Sequence, residues 1–350
     1  MEARIRVRVE LVSGGRVVLD EELARLLVLV DRLGSLLAAS KALHIPYSRA
    51  WEKIASAEKA AGGKLIEARR GGPKGGGARL TGLARRLLAR YLAEYRRIVG
   101  APLIVGEAAE PPEVGVYAGS SDYAVARLVG LLRERGVAAE AYWLGSARGV
   151  AALVLGEADI AGLHVHVPGG NAGYLRSLGL GGEVALVRGY ERLQGFLSRS
   201  PMTLEDIMRG LLEGRLRLVN RNRGSGTRML LDALLGEWAS RLGVAGGPRR
   251  VRGYGFEAST HSEVAEAVAK GDADVGLAVK AAAALHGLSF TSVAWERFDF
   301  AVRAGSLGEG FVGDFLEALG SREFRRILDS LEGYRAPGDM GRVEPLSDIR

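Results

Sequence analysis

The stretch NRNRGSGTR, Asn220 to Arg228, sets three arginines and two glycines within nine residues. Glycines that expose backbone N–H groups at a helix start can cradle a compact anion, and the helix dipole favours negative charge there. On this reading Gly224 and Gly226 let an anion approach the main chain, and Ser225 and Thr227 donate hydroxyls. Arg221, Arg223 and Arg228 then neutralise it. A second stretch, RRGGPKGGGAR from Arg69 to Arg79, has much the same composition. Its Arg69, Arg70, Lys74 and Arg79 are separated by almost no side chains, which suits a flexible loop laid along a phosphate backbone. Three more turns offer hydroxyls: Ser120-Ser121, Ser146, and Thr260-His261-Ser262. Together with the GSG turn they are expected to converge on a single anion.

The elements around these residues set what each can reach. From Val114 onward the pattern is strand, glycine-rich turn, helix, repeated, which predicts an α/β fold with a largely parallel sheet. In such sheets ligands gather at the carboxyl ends of the strands. SARGVAALVLGEADIAGL (Ser146 to Leu163) and HSEVAEAVAKGDADVGL (His261 to Leu277) echo each other and suggest two similar lobes. The N-terminal third reads differently. A hairpin around Gly14-Gly15 precedes a helix capped by Asp20, a short helix capped by Ser35, and a helix starting at Pro46. The last two make a helix-turn-helix candidate. In its second helix Ala50, Ile54 and Ala57 share one face with Trp51 beside it, leaving Tyr47, Ser48, Arg49, Glu52 and Lys53 outward to meet base edges. Thr81 caps a long helix whose Leu83, Leu87, Leu88 and Leu92 form a stripe able to pair two chains.

Charge agrees with this division. Residues 1–100 carry 20 Lys and Arg against 10 Asp and Glu, a net +10, and the other 250 carry 28 against 31, a net −3. A localised positive excess is the footprint of a polyanion-binding module. The absence of Cys excludes disulfides, thiolate metal sites and a cysteine nucleophile. No apolar run reaches the roughly 18 to 20 residues of a membrane span. The start, MEARIRVRVE, lacks the apolar core of a secretion signal, so a cytoplasmic location is expected.

Residues 1–99, with Ser48-Arg49-Ala50-Trp51 and a glycine-rich wing ending in Ala78-Arg79-Leu80-Thr81, resemble the winged-helix domain of ModE-like molybdate-responsive regulators. Pro46 departs from the small polar cap more usual there. Residues 114–334 resemble the type II periplasmic-binding-protein fold, especially the cytoplasmic domains of that kind fused to ModE-like winged helices. RNRGSGT also resembles the phosphate-binding loop Arg-x-Asp-Gly-Ser-Gly-Thr, with Arg223 at the Asp position. In that family the carboxylate accepts the proton of hydrogen phosphate. Its replacement by a donor implies a fully ionised anion, with molybdate or tungstate favoured.

The expected architecture is a winged helix-turn-helix (α+β, 1–99), a linker (100–113), and a two-lobed α/β domain (114–334). Lobe 1 would be about 114–180 with 281–334, lobe 2 about 181–280, and 335–350 a tail. The expected function is a dimeric DNA-binding transcription regulator sensing a small oxyanion, with no cofactor, metal, membrane association or enzymatic activity. Two other readings stay open: a molybdenum-cofactor biosynthesis or cofactor-binding protein holding a pterin or phosphate, and an anion-storage protein. His164 and His166 have the spacing of a strand-borne metal pair but no third ligand nearby. Arg192 and Gln194 are candidates for the cleft, and Asp159 and Asp274 read as caps. No Gly-Lys-Ser/Thr follows the GSG turn, so it is not a nucleotide loop.

Overall fold

A computed structural model describes residues 8–69, 77–101, 103, 114–244 and 251–346. The chain forms two compact units, residues 1–114 with 151–158, and residues 115–150 with 159–350.

In the first unit an antiparallel pair, β1 (Leu11–Ser13) and β2 (Arg16–Leu19), leads into α1 (Glu21–Leu33), α2 (Leu36–Ala42) and α3 (Tyr47–Ala61). A second antiparallel pair, β3 (Ile66–Arg69) and β4 (Gly77–Leu80), precedes α4 (Gly82–Val99). Asp20, Ser35 and Thr81 each accept a hydrogen bond from the backbone N–H three residues on, capping α1, α2 and α4. The buried carboxylate of Glu157 accepts from the N–H groups of Leu36 and Leu37 at 2.6 and 2.8 Å, adding a second cap to α2. Leu23, Leu26, Leu27 and Val30 of α1 and Ala50, Trp51, Ile54 and Ala57 of α3 are all buried.

One expectation for α3 is corrected. Tyr47 is buried and packs edge-on against Trp51, so it belongs to the apolar face and not to the outward one. Of the others, Arg49 is exposed and pairs with Glu22, Glu52 is exposed, Ser48 is half-buried, and Lys53 donates to Asp20 at 2.6 Å. Arg79 pairs with Glu67 at 3.0 Å. Arg70 and Lys74 lie outside the described residues, as does the Arg69 side chain.

The second unit is built on one sheet. Its elements run β5 (Gly115–Gly119), α5 (Tyr123–Glu134), β6 (Ala139–Trp143), α6 (Ser146–Val154), β7 (Ile160–Leu163), α7 (Gly170–Ser177) and β8 (Val184–Ser198). There follow α8 (Leu204–Leu212), β9 (Leu218–Arg221), α9 (Gly226–Leu242), β10 (Glu257–Ala258), α10 (His261–Lys270), β11 (Val275–Val279), α11 (Lys280–Leu285) and β12 (Ser289–Arg303). The chain closes with α12 (Gly310–Gly320), α13 (Arg322–Ser330), β13 (Tyr334–Arg335) and β14 (Val343–Pro345).

The strand order is β10-β9-β11-β8-β12-β7-β5-β6. Read outward from the central β8–β12 pair, the two halves repeat: β12, β7, β5, β6 on one side and β8, β11, β9, β10 on the other. The echoed segments are thus α6–β7 and α10–β11, each ending in a strand parallel to its outer neighbour and antiparallel to its inner one. Asp159 and Asp274 occupy matching places, accepting from Val116 N and Arg217 N at 2.9 and 2.8 Å, which ties each strand start to the next.

The expected lobe limits near 180 and 280 are corrected by β8 and β12. Each is 15 residues long and pairs with its partner from end to end, so the change of lobe falls within these strands. The expected tail is corrected too, because β13 and β14 both add to β8. No helix among the described residues is long and apolar enough to cross a membrane.

Candidate functional site

Of the helices that follow strand ends in the second unit, α5, α9 and α10 are capped by an upstream side chain, and α6 is held differently. Asp122 caps α5, Ser225 caps α9 and Thr260 caps α10, each accepting from a backbone N–H. The fourth, α6, opens with Ser146. Its hydroxyl lies 2.9 Å from that of Ser120 and bridges to the backbone of His164 at the end of β7. These contacts lock three strand-end turns of one lobe together.

The GSG turn of the other lobe reaches this same place. Gly224 has φ +86°, which a side-chain-bearing residue rarely adopts. Gly226 is required for a different reason: a Cβ there would stand 2.0 Å from the His164 carbonyl and 2.5 Å from its Nδ1. Thr227 accepts from Gln194 Nε2 at 3.1 Å. Ser120, Ser146, Ser225, Gly226 and Thr227 are therefore brought together, with Ser121 half-buried at the edge.

The buried charges come from the central strands. Tyr190, Arg192 and Gln194 alternate along one face of β8, and Glu296 on β12 sits directly opposite Arg192. Arg192 is fully buried, donates from Nε to Glu296 Oε1 at 2.6 Å and from Nη1 to Asp122, and lies over the Phe298 ring. Asp122 also accepts from the Tyr190 and Tyr334 hydroxyls. Gln194 Nε2 donates to Glu296 Oε1 at 2.7 Å, and His164 Nδ1 stands 3.3 Å from the same oxygen. Burial works against the Glu296 carboxylate, but His164, Arg192 and Gln194 outweigh it and hold its pKa below the usual range.

The three arginines of the GSG stretch separate. Arg221, at the end of β9, is 5% exposed and donates once, from Nη2 to the Ser259 carbonyl at 2.9 Å. Among the described residues its Nε and Nη1 have no hydrogen-bond partner. Burial, reinforced by the nearby Arg192, lowers its pKa to about 10. Arg228 is buried but committed, pairing with Glu257 and lying over the Tyr254 ring. Arg223 has an 82% exposed side chain, so its expected place against the anion is not the one it takes. The expected preference for a proton-free anion, drawn from Arg223 as a donor, therefore has no contact behind it.

His261, the first residue of α10, is buried, and among the described residues neither ring nitrogen has a partner. Ser262 is exposed, its hydroxyl 3.4 Å from His286 Nε2. His166 is exposed, and among the described residues no three His, Asp or Glu are grouped to hold a metal ion.

Burial, together with Arg221 and Arg192, drives the His261 pKa well below its ordinary 6.5, and burial with Arg192 lowers His164. Both imidazoles are neutral in the fold, whereas the unfolded chain takes up protons near 6.5. The sign follows: stability is intact above that value and is lost as pH falls below it, by up to about 1.4 kcal/mol per unit for each histidine. The melting temperature of wild type should drop between neutral and mildly acidic pH more steeply than that of His261→Asn, as read by differential scanning fluorimetry.

Asp122 and Glu296 escaped the sequence reading. The alternation of Tyr190, Arg192 and Gln194 within an otherwise apolar strand was the available signal, because polar residues on an inward face need partners.

A model of the PBP superfamily domain matches residues 129–320, more than half of the chain. Uncharacterized protein YvgK of Bacillus subtilis (strain 168) is 29% identical over 195 residues, covering 54% of this chain; the chain spans only 60% of that relative's length. A putative phosphate ABC transporter substrate-binding protein with bound phosphate, from Clostridium perfringens, superposes with a TM-score of 0.50 at 13% identity, over 64% of this chain and 100% of its own. An ABC-type phosphate transport receptor from Vibrio cholerae gives 0.44 at 15% identity, over 64% and 100%.

Proposed function

Because the chain belongs to the PBP superfamily domain family, we propose that its two-lobed unit is a receptor for a small oxyanion and that the whole chain is a cytoplasmic, DNA-binding transcription regulator. The observation that carries the receptor reading is Arg221, a buried cation with two N–H donors that no described group accepts. A buried unsatisfied donor costs roughly 1–3 kcal/mol, so such a group is expected where a ligand will satisfy it. Arg221 ends β9, and the GSG turn that follows it brings the α9 start, a positive helix end, against the end of β7, where Ser146 holds the His164 backbone and meets Ser120. The phosphate bound by the similar Clostridium perfringens protein is in keeping with this class of ligand.

Support for DNA binding lies in the first unit. Two helices, α2 and α3, are joined by a short turn and followed by a strand pair, and the first 100 residues carry the net +10. Exposed Arg49 sits in the first turn of α3, where a recognition helix meets base edges. Leu83, Leu87 and Leu92 of α4 would pair two copies; Leu88, expected in the same stripe, is buried in the unit's own core.

The test uses the full chain. Calorimetry with molybdate, tungstate, sulfate and phosphate should detect binding of at least one. Fluorescence anisotropy with duplex DNA should show affinity falling by about three to five decades between about 50 and 200 mM salt if six or more phosphates are contacted. Arg49→Ala should weaken the duplex complex and leave anion affinity alone. An anion receptor with no salt-dependent duplex binding would leave only the storage reading.

A further inference from the structure

One helix carries a residue of the anion site at its start and a residue that caps α2 just past its end. In α6, residues 146–150 belong to the second unit, and 151–154, with the turn that follows to Ala158, belong to the first. At the start the Ser146 hydroxyl meets that of Ser120 at 2.9 Å and bridges the N–H and C=O of His164 at 3.2 Å, the strand end against which Gly226 packs. Past the end Glu157, 5% exposed, gathers the start of α2. Its Oε1 accepts from Leu36 N at 2.6 Å, and its Oε2 from Leu37 N at 2.8 Å and the Ser35 hydroxyl at 3.0 Å. Gly34, just before Ser35, accepts from Ala78 N of β4 at 2.8 Å. Glu157 thus holds the point where the helix-turn-helix candidate and the strand pair behind it join.

The echo supplies an internal comparison. α10 ends in the same turn: Gly156 and Gly271 have φ +72° and +83°, and the next two N–H groups bond the Ala152 and Ala267 carbonyls at 2.9 and 3.2 Å in both copies. The acid of that turn is Glu157 in one copy and Asp272 in the other, and Asp272 is exposed. The turn itself therefore needs no buried acid. What sets Glu157 apart is one more methylene of reach and three donors at the α2 start, where backbone N–H groups have no partner within the helix.

A short packed helix shifts as a body, so a displacement at its first residue reappears in the turn that follows it. We propose that Glu157 is a positioning residue for α2 and α3, and that α6 transmits the state of the anion site to them, coupling anion affinity to duplex affinity. This rests on the regulator reading above. The coupling is reciprocal: whatever the bound anion does to duplex affinity, the bound duplex does to anion affinity.

The experiment uses the full chain, whichever of phosphate, sulfate, molybdate and tungstate binds by calorimetry, and a fluorescent duplex of mixed sequence. In wild type the saturating anion should change duplex affinity, in either direction, by about 5- to 150-fold. Glu157→Asp places the acid of the second copy in the first, a residue that this turn already accommodates. It should keep anion affinity within about twofold of wild type, and the anion's effect on duplex affinity should shrink to about twofold or less. Hydrogen exchange of the α2 amides gives a reading that needs no ligand. Glu157→Asp should quicken it by about two- to thirtyfold, as loss of a cap does, and Ser146→Ala should quicken it in wild type but add nothing in Glu157→Asp. An anion effect that survives in folded Glu157→Asp overturns the proposal. So does α2 exchange indifferent to Ser146→Ala, a comparison that stands even where Glu157→Asp does not fold. Wild type that binds no anion or no duplex ends the regulator reading and the coupling with it; wild type that binds both with no mutual effect ends only the role of α6 and Glu157.

Discussion

Arg221→Met is expected to abolish anion binding, with affinity falling by about 100-fold or more, and at the same time to raise the melting temperature of the ligand-free protein. The two effects share one cause. Arg221 is 5% exposed and, among the described residues, its side chain is satisfied by the Ser259 carbonyl alone, with Nε and Nη1 unpartnered. Burial has already pulled its pKa down to about 10, a sign that the surroundings disfavour its charge. Truncating a charged partner of a buried anion costs about 2–5 kcal/mol of binding. Replacing an uncompensated buried ion by an apolar side chain of similar length, in contrast, is often stabilising by about 1–4 kcal/mol. For a unit of this size that is several degrees, since each kcal/mol shifts the midpoint by about 2–4 °C. Calorimetry with phosphate and a thermal scan without it read both effects. A variant that melts lower and still binds would show that Arg221 is a structural cation, and the receptor reading would lose its main support.

What the sequence disclosed and what it hid follow one physical division. Helix caps are local: Asp20, Ser35 and Thr81 each bond a backbone N–H three residues on, so residue type and spacing are enough to find them. The echo of α6–β7 in α10–β11 was legible for the same reason, since Asp159 and Asp274 sit at the same step of each copy. Pairings that depend on strand register were hidden. Arg192 meets Glu296 across 104 residues of chain and Asp122 across 70, and only the alignment of β8 with β12 brings them together. Side-chain direction within a turn was hidden as well. Arg221, Arg223 and Arg228 look alike in NRNRGSGTR, yet one is buried with open donors, one is exposed, and one is tied to Glu257. Tyr47 carried the same ambiguity: near the start of a helix an aromatic ring can cover the core or face outward, and here Trp51 gives it a packing partner.

Gly226→Ala should damage binding nearly as much as loss of Arg221, without removing a single polar group. The new Cβ would lie 2.0 Å from the His164 carbonyl oxygen, which is backbone and is tied to Ser146. Nothing flexible is present to yield, so the GSG turn must withdraw from the end of β7 by more than an ångström to restore ordinary contact. The withdrawal carries Thr227 away from Gln194 and moves the α9 start off the place where Ser120 and Ser146 meet. Misplacement of about 1 Å in a preorganised site can cost about 100-fold, and a loss of one to two decades in phosphate affinity is expected here. Gly226 opens α9, and helix propensity alone would make alanine there favourable, by less than the roughly 0.5–1 kcal/mol of a helix interior. The two arguments thus point in opposite directions, which makes the variant discriminating. If the turn packs against β7 as described, affinity falls while far-ultraviolet circular dichroism stays that of wild type. Gly236→Ala, further along the same helix where a Cβ would meet nothing within 4 Å, serves as the control and should bind as wild type does. Unchanged phosphate affinity in Gly226→Ala would mean that the lobes do not need this contact to hold their ligand.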